Sequence, residues 1–119
     1  MRTVAEIDEL VVTALVEDVV AAGYYVYLYD AEGSLVTRNI RRAIEYILDM
    51  EECTVSPVHI ETEVVDGRPR VLQITDSPGG IYLTPGENGW DVICNYTDNE
   101  TIGGLVARAE GIAASFEED

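Results

Sequence analysis

Lysine is absent from this chain; all seven basic residues are arginines, set against 23 acids. Histidine occurs once, at His59, which leaves no zinc ligand set of ordinary composition. Two cysteines, Cys53 and Cys94, are too few for a disulfide framework and lack metal-type spacing, so buried free thiols are the expectation. No apolar run approaches the roughly 18 residues of a membrane span. The opening MRTVAEIDEL places acids where a signal peptide carries its apolar core, so no secretory leader is read. The reading is a soluble cytoplasmic protein of one domain, residues 1–119, large enough for its own core.

The formal net charge of −16 excludes a ready ligand for nucleic acid or anionic membrane, because phosphate would be repelled. It favours protein partners with a basic surface. A solubilising coat, or adaptation to a salty cytoplasm, explains the same acids; the excess of glutamate (14) over aspartate (9) weighs against the salt reading.

Hydrophobic periodicity then gives the elements. Residues 3–22 read as a helix, with Thr3 and Glu6 at capping-box spacing and Gly23 as its stop. Ile7, Leu10, Val11, Ala14, Leu15 and Val19 form its buried stripe, widened by Val12, Val16 and Val20. Glu6, Glu9, Thr13 and Glu17 share the remaining strip, either a solvated face or a docking edge. GYYVYLYD (23–30) reads as a strand: Val26 and Leu28 on one face, Tyr25, Tyr27 and Tyr29 on the other. After a DAEGS turn, a second helix is expected from Thr37 or Asn39 to Met50. Arg38, Arg41 and Arg42 crowd its first turns, where the helix dipole disfavours positive charge.

The second half is strand-rich. VHIETEVV (58–65), a DGRP turn (66–69) and RVLQITD (70–76) make a hairpin. Pro78-Gly79-Gly80 precedes a short strand, IYLT; PGENG (85–89) turns the chain into WDVICNYT (90–97). A last helix, capped by Asn99 or Thr101, runs to about Phe116, and Gly103 and Gly104 suggest close packing against the sheet. The fold class is α+β: an antiparallel sheet of four to five strands with three helices on one face, in the order α-β-α-β-β-β-β-α. That leaves the tyrosine face open or half open. His59, Glu61 and Glu63, or Asp91, Ile93 and Asn95, are the expected neighbours. The tyrosines either hold the sheet together through cross-strand pairs or anchor a partner.

No nucleophile motif, phosphate loop, HExxH or CxxC is present, and acid pairs such as Glu51-Glu52 arise by chance among 23 acids. The expectation is a non-enzymatic protein without cofactor or metal.

AAGYYVYLYDAEG (21–33) and GENGWDVICNYTDNE (86–100) resemble segments of a group of small uncharacterised phage and plasmid proteins. Those show AxGYxVxVYDGEE, a DGK-type hairpin, here DGR (66–68), and GNDGWDVISDYTxNLE opening the last helix. Residues 34–57 match least; Asn95 stands where an aspartate is usual, and Thr101 replaces a leucine-rich start. The resemblance implies a fold and a setting in mobile elements, and carries over no catalytic residue. In that setting, an acidic protein acts by occupying the basic nucleic-acid groove of a host restriction or CRISPR effector, its carboxylates standing in for phosphates (a DNA mimic). The candidate protein-binding residues are Glu6, Glu9, Glu17, Glu61 and Glu63, with Tyr25, Tyr27 and Tyr29 as anchors for a partner or a second copy. The alternative is a structural protein that dimerises through the tyrosine face.

Overall fold

A computed structural model describes residues 4–85 and 92–116. The order is α1 (Val4–Ala21), β1 (Tyr25–Tyr29), β2 (Ser34–Thr37), α2 (Ile40–Leu48), β3 (Cys53–Val65), β4 (Arg68–Asp76), β5 (Ile81–Leu83), β6 (Ile93–Tyr96) and α3 (Glu100–Ala114). The chain is α+β with an entirely antiparallel sheet. Five strands run in the order β2-β1-β3-β5-β6, and β4 pairs with β3 off that path. The six strands among the described residues exceed the four to five expected, in part because Ser34–Thr37 is a strand and not the lead-in to a helix. Thr3, Asn88-Gly89 and Asp91 lie outside the described residues.

Local chemistry sets the boundaries. The β1–β2 turn closes because Asp30 Oδ1 accepts hydrogen bonds from the amides of Glu32 (2.8 Å) and Gly33 (2.9 Å). Asn39 caps α2 by accepting from the Arg42 amide at 3.0 Å. Asn99 caps α3 through the Ile102 amide at 2.8 Å, and its Nδ2 donates to Pro78 O at 2.8 Å. Asp66 and Gly67 carry positive φ (53° and 76°), the signature of the tight hairpin turn between β3 and β4.

One core fills the space between the three helices and one sheet face. Leu15, Leu28, Ile47, Ile81, Leu83 and Ile102 are its largest fully buried side chains. Val26 and Leu28 face it from β1, and Val55 from β3. Gly103 and Gly104 make no close approach: a Cβ placed at either would meet nothing within 4 Å. Cys53 is buried, whereas Cys94 is exposed, so only one thiol fits the expectation. Cys94 sits at a β-bulge: Tyr82 pairs with Asn95 but Leu83 pairs with Ile93.

β3 belongs to two structures at once. Its first half is held between β1 and β5, with Thr54–Val58 opposite β1 and Cys53–Val55 opposite β5. Its second half, from His59 to Val65, pairs with β4. β4 packs on β3 and makes no comparable contact with any helix or other strand. The pair forms a two-stranded arm that lengthens the molecule to 54 × 28 × 24 Å.

Candidate functional site

The tyrosine face follows from strand register, since residues directly opposite on neighbouring strands share a face. Tyr25, Tyr27 and Tyr29 stand opposite Val58, Ser56 and Thr54 of β3. Thr54 is opposite Tyr82, and Tyr82 opposite Asn95. The described neighbours are therefore small or neutral side chains, and of the described members of the expected group only Asn95 is among them. Tyr27 and Tyr29 pack ring to ring at 4.8 Å, and the Arg38 guanidinium lies 5.5 Å from the Tyr25 ring centre. That contact, with Arg38 Nη2 donating to Val20 O at 3.3 Å, turns Arg38 towards the body of the protein. Arg41 pairs along the exposed side of α2 with Glu45 at 3.3 Å.

His59, Glu61 and Glu63 do not join the tyrosines. They alternate with Val58, Ile60, Thr62 and Val64 along β3, and so point to the helix side. His59 stacks against Tyr24 at 4.6 Å. The bulge at Cys94 likewise separates Ile93, packed against the core, from Asn95.

The arm has two unlike faces. Glu61 accepts from Gln73 Nε2 at 2.8 Å, and Glu63 pairs with Arg70 at 3.4 Å, so one face carries bonded polar pairs. The other pairs Ile60 with Ile74 and Val64 with Pro69. Both register shifts place the extra residue on β4 (Thr75 and Leu72), so β3 keeps its alternation. The apolar strip of the arm thus continues the tyrosine face. It is bare: Val64 is 74% exposed and Ile74 41%.

Acids gather in two further places. Glu6, Glu9 and Glu17 border a groove of about 610 Å³ between α1 and α3, as their shared strip on α1 implies. Arg108 enters it from α3, donating to Glu17 Oε1 at 2.6 Å and lying 3.5 Å from Asp18. Glu17 is thereby partly neutralised. A second cleft, about 540 Å³, opens at the Tyr29 end of the sheet. The β1–β2 turn brings Asp30 and Glu32 to it; the α2–β3 loop brings Asp49, Glu51 and Glu52. Among the described residues no arginine lines it. Glu52 hydrogen-bonds the Tyr82 hydroxyl, which raises that phenol's pKa. Burial, and then the Asp30 charge, push the Cys53 thiol up to about 11.

These cleft acids escape sequence reasoning because only the pairing of β1 with β3 makes neighbours of two loops some twenty residues apart. Among the described residues no three His, Cys, Asp or Glu side chains converge closely enough to hold a metal ion. No described helix is long and apolar enough to cross a membrane. No known family, curated protein or solved structure matches the chain.

Proposed function

We propose that this is a non-enzymatic protein-binding module that takes a partner with a basic surface. The reading extends to an inhibitor, encoded by a mobile element, that occupies the nucleic-acid groove of a host enzyme as a DNA mimic. One observation carries it: five carboxylates from two loops border a single cleft that no described arginine lines, beside an aromatic face. Tyr29 and Tyr82 line the same cleft, so an entering arginine or lysine meets ring faces as well as carboxylates. The long-range field of a −16 chain steers such a partner, and the groove edged by Glu6 and Glu9 extends the acidic surface. Glu61 and Glu63 contribute less, being engaged with Gln73 and Arg70.

The test is affinity capture from a lysate of cells that host such elements, eluted by a salt gradient. A nucleic-acid enzyme released between about 0.2 and 0.5 M salt, and displaced by DNA, supports the reading. The folded variant carrying Glu32→Gln, Glu51→Gln and Glu52→Gln should lose it. Equal capture by that variant would remove the cleft from the account, and capture insensitive to salt and DNA would remove mimicry.

A further inference from the structure

We infer that the open sheet face, from the tyrosine row to the tip of the β3–β4 arm, is covered by a second copy of this chain lying antiparallel across it. The inference does not rest on the cleft, although the two meet at Tyr29 and Thr54, where a second copy and a basic partner would compete. It starts from the arm. A two-stranded ribbon is marginal in water unless its apolar face is covered, and Val64 and Ile74 on the face of this one are exposed. Its polar side is already satisfied by the Glu61–Gln73 and Glu63–Arg70 pairs. What remains unmet is the strip of Ile60, Val64, Pro69 and Ile74.

Charge and area select the occupant. Neither that strip nor the positions beside the tyrosines (Thr54, Ser56 and Val58) holds a carboxylate, so a basic partner finds nothing to pair with there. A second copy, despite its own −16, brings an equally uncharged face. The arm is seven residues long on β3, about 23 Å, and about 10 Å wide, so two arms packed only on each other bury roughly 500 Å². That falls in the range of incidental contacts. An antiparallel overlay about His59 doubles it. Val64 of each copy then lies over Thr54 and Tyr29 of the other, Thr62 over Tyr27 and Ile60 over Tyr25; the tyrosines and Thr54 present this surface, since Ser56 and Val58 are already buried within one chain. The total reaches about 1,000 Å², the lower bound for a specific interface, with the isologous two-fold symmetry of ordinary dimers.

The mass in solution is measured by sedimentation at about 0.1 M and about 1 M salt. Screening shortens the Debye length from about 10 Å to about 3 Å, which relieves repulsion between the acidic copies and leaves apolar contacts intact. The dimer fraction should therefore rise with salt, opposite in sign to capture of a basic partner. Val64→Glu, at a site 74% exposed, should give a monomer with an unchanged circular dichroism spectrum and melting temperature in dilute solution. In a Cys94→Ser background, mixing Tyr29→Cys with Val64→Cys should trap a disulfide-linked heterodimer under mild oxidation. A monomer at every salt and protein concentration overturns the inference. So does Val64→Cys cross-linking to itself in preference to Tyr29→Cys, because that outcome means arm on arm.

Discussion

The same substitution at two places on one strand tests the two-faced geometry of β3. Val55 and Val64 lie on opposite faces; the first has no solvent exposure and the second is 74% exposed. Threonine is nearly isosteric with valine and equally at home in a strand, so Val→Thr changes little but a methyl for a hydroxyl. At Val55 that hydroxyl enters the helix-covered core, and burying it should cost about 2 kcal/mol. The unfolding entropy of a chain of this length is about 250 cal/mol/K, so Val55→Thr should lower the melting temperature by about 8 °C. At Val64 the hydroxyl stays in water, and the change should remain within about 2 °C. Thermal melts followed by far-ultraviolet circular dichroism, run dilute so that association adds nothing, give both numbers. Equal losses at the two sites would mean that the arm's strip is covered within a single chain, and the account of the open face would fail.

Gly79 has φ of 147°, and a Cβ there would come within 2.6 Å of the Thr97 side chain. Gly79→Ala should therefore destabilise by about 2–4 kcal/mol in urea unfolding, whereas Gly33→Ala, where a Cβ meets nothing, should cost well under half of that. Iodoacetamide at mildly alkaline pH should modify one thiol quickly, Cys94, and reach Cys53 only on unfolding; peptide mapping identifies the site. Between pH 9 and about 11 the unfolded chain releases the Cys53 proton while the folded chain keeps it, so stability should fall with rising pH across that window, and less steeply in Cys53→Ala.

Where one strong periodicity governs, the sequence was legible. The α1 stripe, the β1 alternation and the Asp66-Gly67 hairpin all appear where the pattern puts them. Two strand segments were not legible, for different reasons. Ser34–Thr37 is only four residues long, too short for an alternation to stand out beside a nearby helix cap. Cys53–Pro57 contains a proline, which argues against a central strand. Pro57 is tolerated because it falls between the stretch paired with β5 and the stretch paired with β4, where only β1 is a neighbour. The misplacement of Glu61 and Glu63 came from sheet order. Alternation shows which residues share a face of β3, but whether that face is the tyrosine side depends on how β3 lies against β1. The cleft acids and the bare arm strip were hidden for the same reason: both are products of pairing between distant segments.

Because β3 runs without a break from the body into the arm, the length of the arm can change only in even steps. Lengthening β3 and β4 by two residues each would carry the tip about 7 Å further and keep every side chain on its present side. A single residue inserted into β3 after Val58 would instead turn the arm's apolar strip to the helix side and bring Glu61 and Glu63 round beside the tyrosines, while leaving the core untouched.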